Sequence, residues 1–131
     1  MGVPHSMLTV RTQGENTTVV QLPKEIDYDT APLVGAQCED LIRQGCVTLV
    51  LDASRLEYLD SSGVSLIVTL SRILDDRAGT LRLAALNAHY QHVWTLLGLD
   101  TLLPVHPTAD AALDTPATPG RMRTTEGAEA G

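Results

Sequence analysis

VTLVLDASRLEYLDSSGVSLIVTLSRIL, Val47 to Leu74, changes its hydrophobic period halfway along. Its first part, from Cys46 to Asp52, is short, apolar and rich in β-branched side chains, the composition of a central strand covered by helices. Beyond Asp60 the apolar positions recur at helical spacing. Val64, Ile67, Val68 and Leu74 fall where they would face a sheet, and Leu66, Leu70 and Ile73 widen that stripe. Ser65, Thr69, Arg72 and Asp76 fall on another, wet face. The spacing predicts a helix opened by Gly63 and running to about Arg77.

The flanking chain repeats this alternation of strand and helix. Towards the N-terminus, Met7–Thr12 alternates, QGEN supplies turn chemistry and TTVVQLP resumes as a second extended run, which predicts a hairpin or two neighbouring strands. Asp29 and Thr30 offer capping oxygens ahead of Pro32, and Val34, Cys38, Leu41 and Ile42 recur helically until Gly45, which predicts a first helix over Ala31–Gln44. Towards the C-terminus, Gly79–Leu86 alternates as a strand and AHYQHVWTLLG reads as a shorter helix stopped by Gly98. TLLPVH reads as a last strand, which Pro104 places at an edge. The element order ββαβαβαβ implies an α/β fold, a mixed sheet of about five strands packed against three to four helices. From Pro107 onward large apolar residues almost vanish. Beyond a helical turn or two over Ala109–Leu113, a flexible tail is expected, so that 7–114 forms one domain and 115–131 the tail.

Composition removes several function classes. The formal net charge of −7 opposes a nucleic-acid partner, since a phosphate backbone would be repelled, and one Trp, three Tyr and no Phe leave no base-stacking platform. Apolar runs such as Val64–Val68 fall far short of the roughly 20 residues of a membrane span, and MGVPHSMLTV lacks a signal-peptide layout, so a cytoplasmic protein is expected. Cys38 and Cys46 lack metal or redox spacing and read as small buried thiols. His89 and His92, three apart, have no third metal ligand in view and read as surface histidines. Neither a phosphate-binding loop nor a G-x-S-x-G elbow is present, so no cofactor and no catalytic residue is expected.

Ser61 and Ser62 sit in the first turn of the second helix, where backbone N–H groups lack intrahelical partners and the dipole is positive. One reading is structural, with Asp60, Ser61 or Ser62 as the N-cap. The other is functional. A helix N-terminus tolerates a phosphate, and phosphorylation there would add roughly 1.5 to 2 negative charges beside Asp60 and repel a docked partner.

D-x-S-x-L-x-x-L-D-S-S-G-V, Asp52–Val64, together with EIDYDTA at Glu25–Ala31 and LLGLDTLLPV at Leu96–Val105, resembles the STAS domain of bacterial anti-sigma factor antagonists, over about Leu8 to Leu113. The resemblance implies a non-enzymatic switch. The unphosphorylated antagonist binds an anti-sigma factor that is also a serine kinase and so frees the sigma factor; the kinase phosphorylates the antagonist, and a serine phosphatase resets it. The family's phosphorylated serine corresponds to Ser61, with Ser62 as a structural neighbour and Gly63 allowing close backbone approach to a kinase. Asp27 matches an acidic residue of the partner surface, which Ser65, Thr69 and Arg72 would continue. Lys24 and Ser65 depart from the pattern, each standing where relatives often carry glycine, and Lys24 places a cation near Asp27 and Ser61. The same fold also serves as a subunit of transport or lipid-trafficking complexes, or as a signalling scaffold in which Ser61 only caps its helix; the intact D-S-S-G loop favours the switch.

Overall fold

A computed structural model describes residues 8–114 except 13 and 15. The expected tail over 115–131, and Met7 at the start of the first strand, lie outside the described residues. The order is β1 (Thr9–Thr12), β2 (Thr17–Gln21), β3 (Glu25–Ile26), α1 (Ala31–Arg43), β4 (Thr48–Asp52), β5 (Tyr58–Leu59), α2 (Ser61–Asp76), β6 (Thr80–Ala84), α3 (Ala88–Leu96), α4 (Leu99–Leu102), β7 (Val105–His106) and α5 (Ala109–Asp114). β1 and β2 pair antiparallel as a hairpin, and β2, β4, β6 and β7 follow in parallel, a mixed five-stranded sheet ordered β1-β2-β4-β6-β7.

Strand alternation divides the core between the two faces. Val20, Leu49, Leu51, Leu81 and Leu83 join Val34, Cys38, Ile42, Ile67, Leu70, Leu74 and Trp94 in the larger cluster, on the side of α1, α2 and α3. Val19, Val50 and Ala84 meet Ala112 of α5 on the other. Helices on both faces explain why the central strands read as continuous apolar runs rather than alternating ones. Ala112 is fully buried, so the short helix expected near Ala109–Leu113 is present.

Three expectations are corrected. A second ladder, β3 parallel to β5, pairs Glu25 with Tyr58 and Ile26 with Leu59; strands of two residues carry no readable period. The run expected as a strand over TLLPVH opens instead as the helical turn α4. Gly98 takes a left-handed φ of 74°, which ends α3 and lets a new turn begin, and Thr101 Oγ1 donates to Gly98 O at 2.9 Å. Only Val105–His106 remains a strand. Finally, neither Asp29 nor Thr30 caps α1 with its side chain: the first helical N–H, Ala31 N, is taken by the Asp27 carbonyl, while Asp27 Oδ1 accepts from Thr30 N at 3.0 Å and Asp29 N at 2.9 Å in the loop ahead of the helix.

Candidate functional site

The β3–β5 ladder delivers the chain to both helix starts side by side. Asp60 N donates to Ile26 O at 3.2 Å, closing the ladder, and the Asp60 carboxylate then divides its two oxygens. Oδ1 accepts from Ser62 N at 2.8 Å and Gly63 N at 3.3 Å; Oδ2 accepts from Tyr28 N at 3.2 Å, in the loop before α1. Asp60 is therefore the N-cap of α2 and a clamp between two segments 32 residues apart. The cap reading of the serines is corrected: α2 begins at Ser61, not at Gly63, and both serines are helical residues whose hydroxyls find no partner among the described residues. Ser61 is exposed and Ser62 half-buried.

Gly63 has a reason in packing. It is buried, and a Cβ built on it would lie 2.3 Å from Leu59 Cδ1 and 3.0 Å from both Ile26 Cγ2 and Ile26 O. Only a residue without a side chain lets α2 seat on the small ladder, so within the chain its backbone approaches β3 and β5. Tyr90 of α3 also supports the turn, its hydroxyl accepting from Leu59 N at 3.1 Å. Neither this contact nor the Tyr28 contact with Asp60 was signalled by the sequence, since each joins residues about thirty apart.

Asp27 lies beside the site, joined to Asp60 through the Asp27–Thr30 loop. Its carboxyl is held below the ordinary aspartate value, chiefly by the Thr30 N–H, against a smaller opposing effect of burial, with Asp29 N–H and the Thr30 hydroxyl adding to the lowering. Lys24 is exposed and makes no ion pair among the described residues, where the one salt bridge is Arg43 with Asp40. Ser65, Thr69 and Arg72 are all exposed on α2, continuing from Ser61 as one stripe, whereas Ile67, Leu70 and Leu74 are buried. The structure thus brings Asp27, Asp60, Ser61, Ser62 and Gly63 together, with the stripe leading away along the helix.

The chemistry available to Ser61 follows. No base activates it, since its hydroxyl is unpartnered among the described residues. It is accessible to an enzyme from outside. A phosphate placed on it would not enter a vacant anion site, because Asp60 already occupies the Ser62 and Gly63 amides; it would add to the negative charge of Asp60, Asp27 and Asp29. Elsewhere, Cys38 is buried with its thiol pushed up to about 12 by desolvation, and burial also raises Cys46, so both are free, unreactive thiols. His89 and His92 are exposed on α3.

Comparison with known proteins agrees with this geometry. A family model described as Mlab, STAS domain, matches residues 9–104. The anti-sigma F factor antagonist of Paenibacillus polymyxa is 26% identical over 96 residues, 72% of this chain and 82% of that protein. An anti-sigma factor antagonist from Mycobacterium paratuberculosis superposes with a TM-score of 0.73 at 27% identity, over 81% of this chain and 89% of the other. The Bacillus cell fate determinant SpoIIAA in its phosphorylated form superposes with a TM-score of 0.66 at 27% identity, over 82% and 96%. With a strand-to-helix turn clamped by Asp60, an idle serine next to it and a five-stranded mixed sheet beneath, the chain belongs to the STAS domain family, among relatives that are anti-sigma factor antagonists.

Proposed function

We propose that this chain is an anti-sigma factor antagonist whose partner is released by phosphorylation of Ser61. Unphosphorylated, it binds an anti-sigma factor that is also a serine kinase and so frees a sigma factor; the kinase phosphorylates Ser61, and a serine phosphatase restores the binding form. The surface runs from Asp27 and Asp60 over Ser61 and Ser62 and along Ser65, Thr69 and Arg72. The observation that carries this reading is the Ser61 hydroxyl itself, exposed at a helix start whose amides are already capped by Asp60. It has no structural task, and added charge there is not absorbed locally. A subunit of a transport complex would need no modifiable hydroxyl at this position.

The test is the affinity of the anti-sigma factor for three forms of the chain. Ser61→Ala retains binding, and Ser61→Asp weakens it by about a hundredfold, the equivalent of about 2.7 kcal/mol. Equal binding by the two variants contradicts the switch.

A further inference from the structure

Tyr28 carries the most exposed large apolar side chain among the described residues, at 78%. The other aromatic residues of the site region have structural work. Trp94 is buried with Nε1 on Leu103 O, and Tyr90 holds Leu59 N with its hydroxyl. The Tyr28 ring and hydroxyl make no hydrogen bond and no ring contact among the described residues.

The backbone beneath that ring is tightly held. Five successive N–H groups each reach an acceptor: Asp27 N on Thr30 Oγ1, Tyr28 N on Asp60 Oδ2, Asp29 N and Thr30 N on Asp27 Oδ1, and Ala31 N on Asp27 O. A loop tied in this way has little conformational freedom left to lose on binding, and a tyrosine adds only two side-chain torsions. The ring therefore stands on a preorganised base. That base is joined to the helix start carrying Ser61, because the Asp60 carboxylate that holds Tyr28 N at 3.2 Å also caps α2 at Ser62 N and Gly63 N.

A protruding ring on a rigid loop is the complement of a recess. Aromatic side chains that enter a dry pocket supply a large share of the energy of a protein interface, and Tyr is among the residues enriched in that role. The ring's surroundings also select which surface covers it. Tyr28 is continuous, through Asp60, with the Ser61 surface proposed to meet the anti-sigma factor.

We infer that Tyr28 anchors the docking surface, its ring entering an apolar recess on the anti-sigma factor. The inference rests on the switch reading of Ser61 and adds a physical cause of release. A phosphate on Ser61 brings roughly 1.5 to 2 negative charges to the rim of a dry contact, and the cost of desolvating them opposes seating of the ring.

The test uses a purified serine-kinase anti-sigma factor that binds the unmodified full-length chain, and measures its affinity for Tyr28→Ala, Tyr28→Phe, Leu102→Ser and Ser61→Asp. Tyr28→Ala weakens binding at least about tenfold with an unchanged denaturant midpoint, since the side chain is exposed. Tyr28→Phe keeps the ring and stays within about threefold of the parent chain. Leu102 is the control: it is 52% exposed and lies by the Ser71–Asp75 end of α2, about 15–21 Å along the helix from Ser61, and its replacement leaves the affinity unchanged. Parent-like binding by Tyr28→Ala, with Ser61→Asp weakened, overturns the anchor and leaves the switch standing. Equal losses in Tyr28→Ala and Leu102→Ser, or in Tyr28→Ala and Tyr28→Phe, also overturn it, the first pointing to apolar surface in general and the second to the hydroxyl. Parent-like binding by Ser61→Asp, with Tyr28→Ala weakened and Tyr28→Phe retained, upholds the anchor and contradicts the switch.

Discussion

The two helix starts of this molecule are built alike and use their hydroxyls differently. α1 and α2 each follow a strand of the β3–β5 ladder, and each is preceded by an aspartate whose Oδ1 accepts two backbone N–H groups, Asp27 from Asp29 and Thr30 in the loop before α1 and Asp60 from Ser62 and Gly63 in the first turn of α2. In the first, the neighbouring hydroxyl is fully engaged: Thr30 Oγ1 accepts from Asp27 N at 2.9 Å and reaches Glu25 O at 3.1 Å and Asp27 Oδ1 at 3.2 Å. In the second, Ser61 and Ser62 engage nothing among the described residues. Since neither helix is capped by a hydroxyl, a hydroxyl at a helix start is not thereby a cap. Thr30 holds its loop together, and Ser61 is left available for modification.

Substitutions can break this comparison at graded strengths. Gly63→Val has the largest effect, because its side chain would enter space held by Leu59 and the Ile26 backbone; overpacking of this kind costs about 3 kcal/mol, read as a lower denaturant midpoint. Asp60→Ala removes the cap of α2 and the tie to Tyr28 and lowers stability by about 1–2 kcal/mol in the same assay. The sharpest contrast is the smallest. Thr30→Ala loses about 1 kcal/mol, while Ser61→Ala changes stability by less than about 0.5 kcal/mol. Equal losses at the two positions would assign Ser61 a structural task.

Most of the main sheet and its helices could be read from the chain because their signal is local. The apolar run of β4 and the helical spacing of Ile67, Leu70 and Leu74 need no knowledge of neighbours. The site was legible only in part. Its position at the Asp60–Gly63 turn followed from the motif, but Asp60, Ser61 and Ser62 are all good cap formers, and only the hydrogen bonds decide among them. Gly63 needed Leu59 and Ile26 to explain it, and Tyr28 and Tyr90 reach the site through contacts about thirty residues long. The α4 turn was hidden because a left-handed Gly98 can end one helix and begin another as readily as it can precede a strand.

The central claim, that Ser61 is the switch, is tested most directly by intact mass and peptide mapping after incubation with ATP and the anti-sigma factor kinase. The account predicts one added phosphate, located on Ser61 and absent from Ser61→Ala. A phosphate on another hydroxyl, or the same uptake by Ser61→Ala, would contradict it.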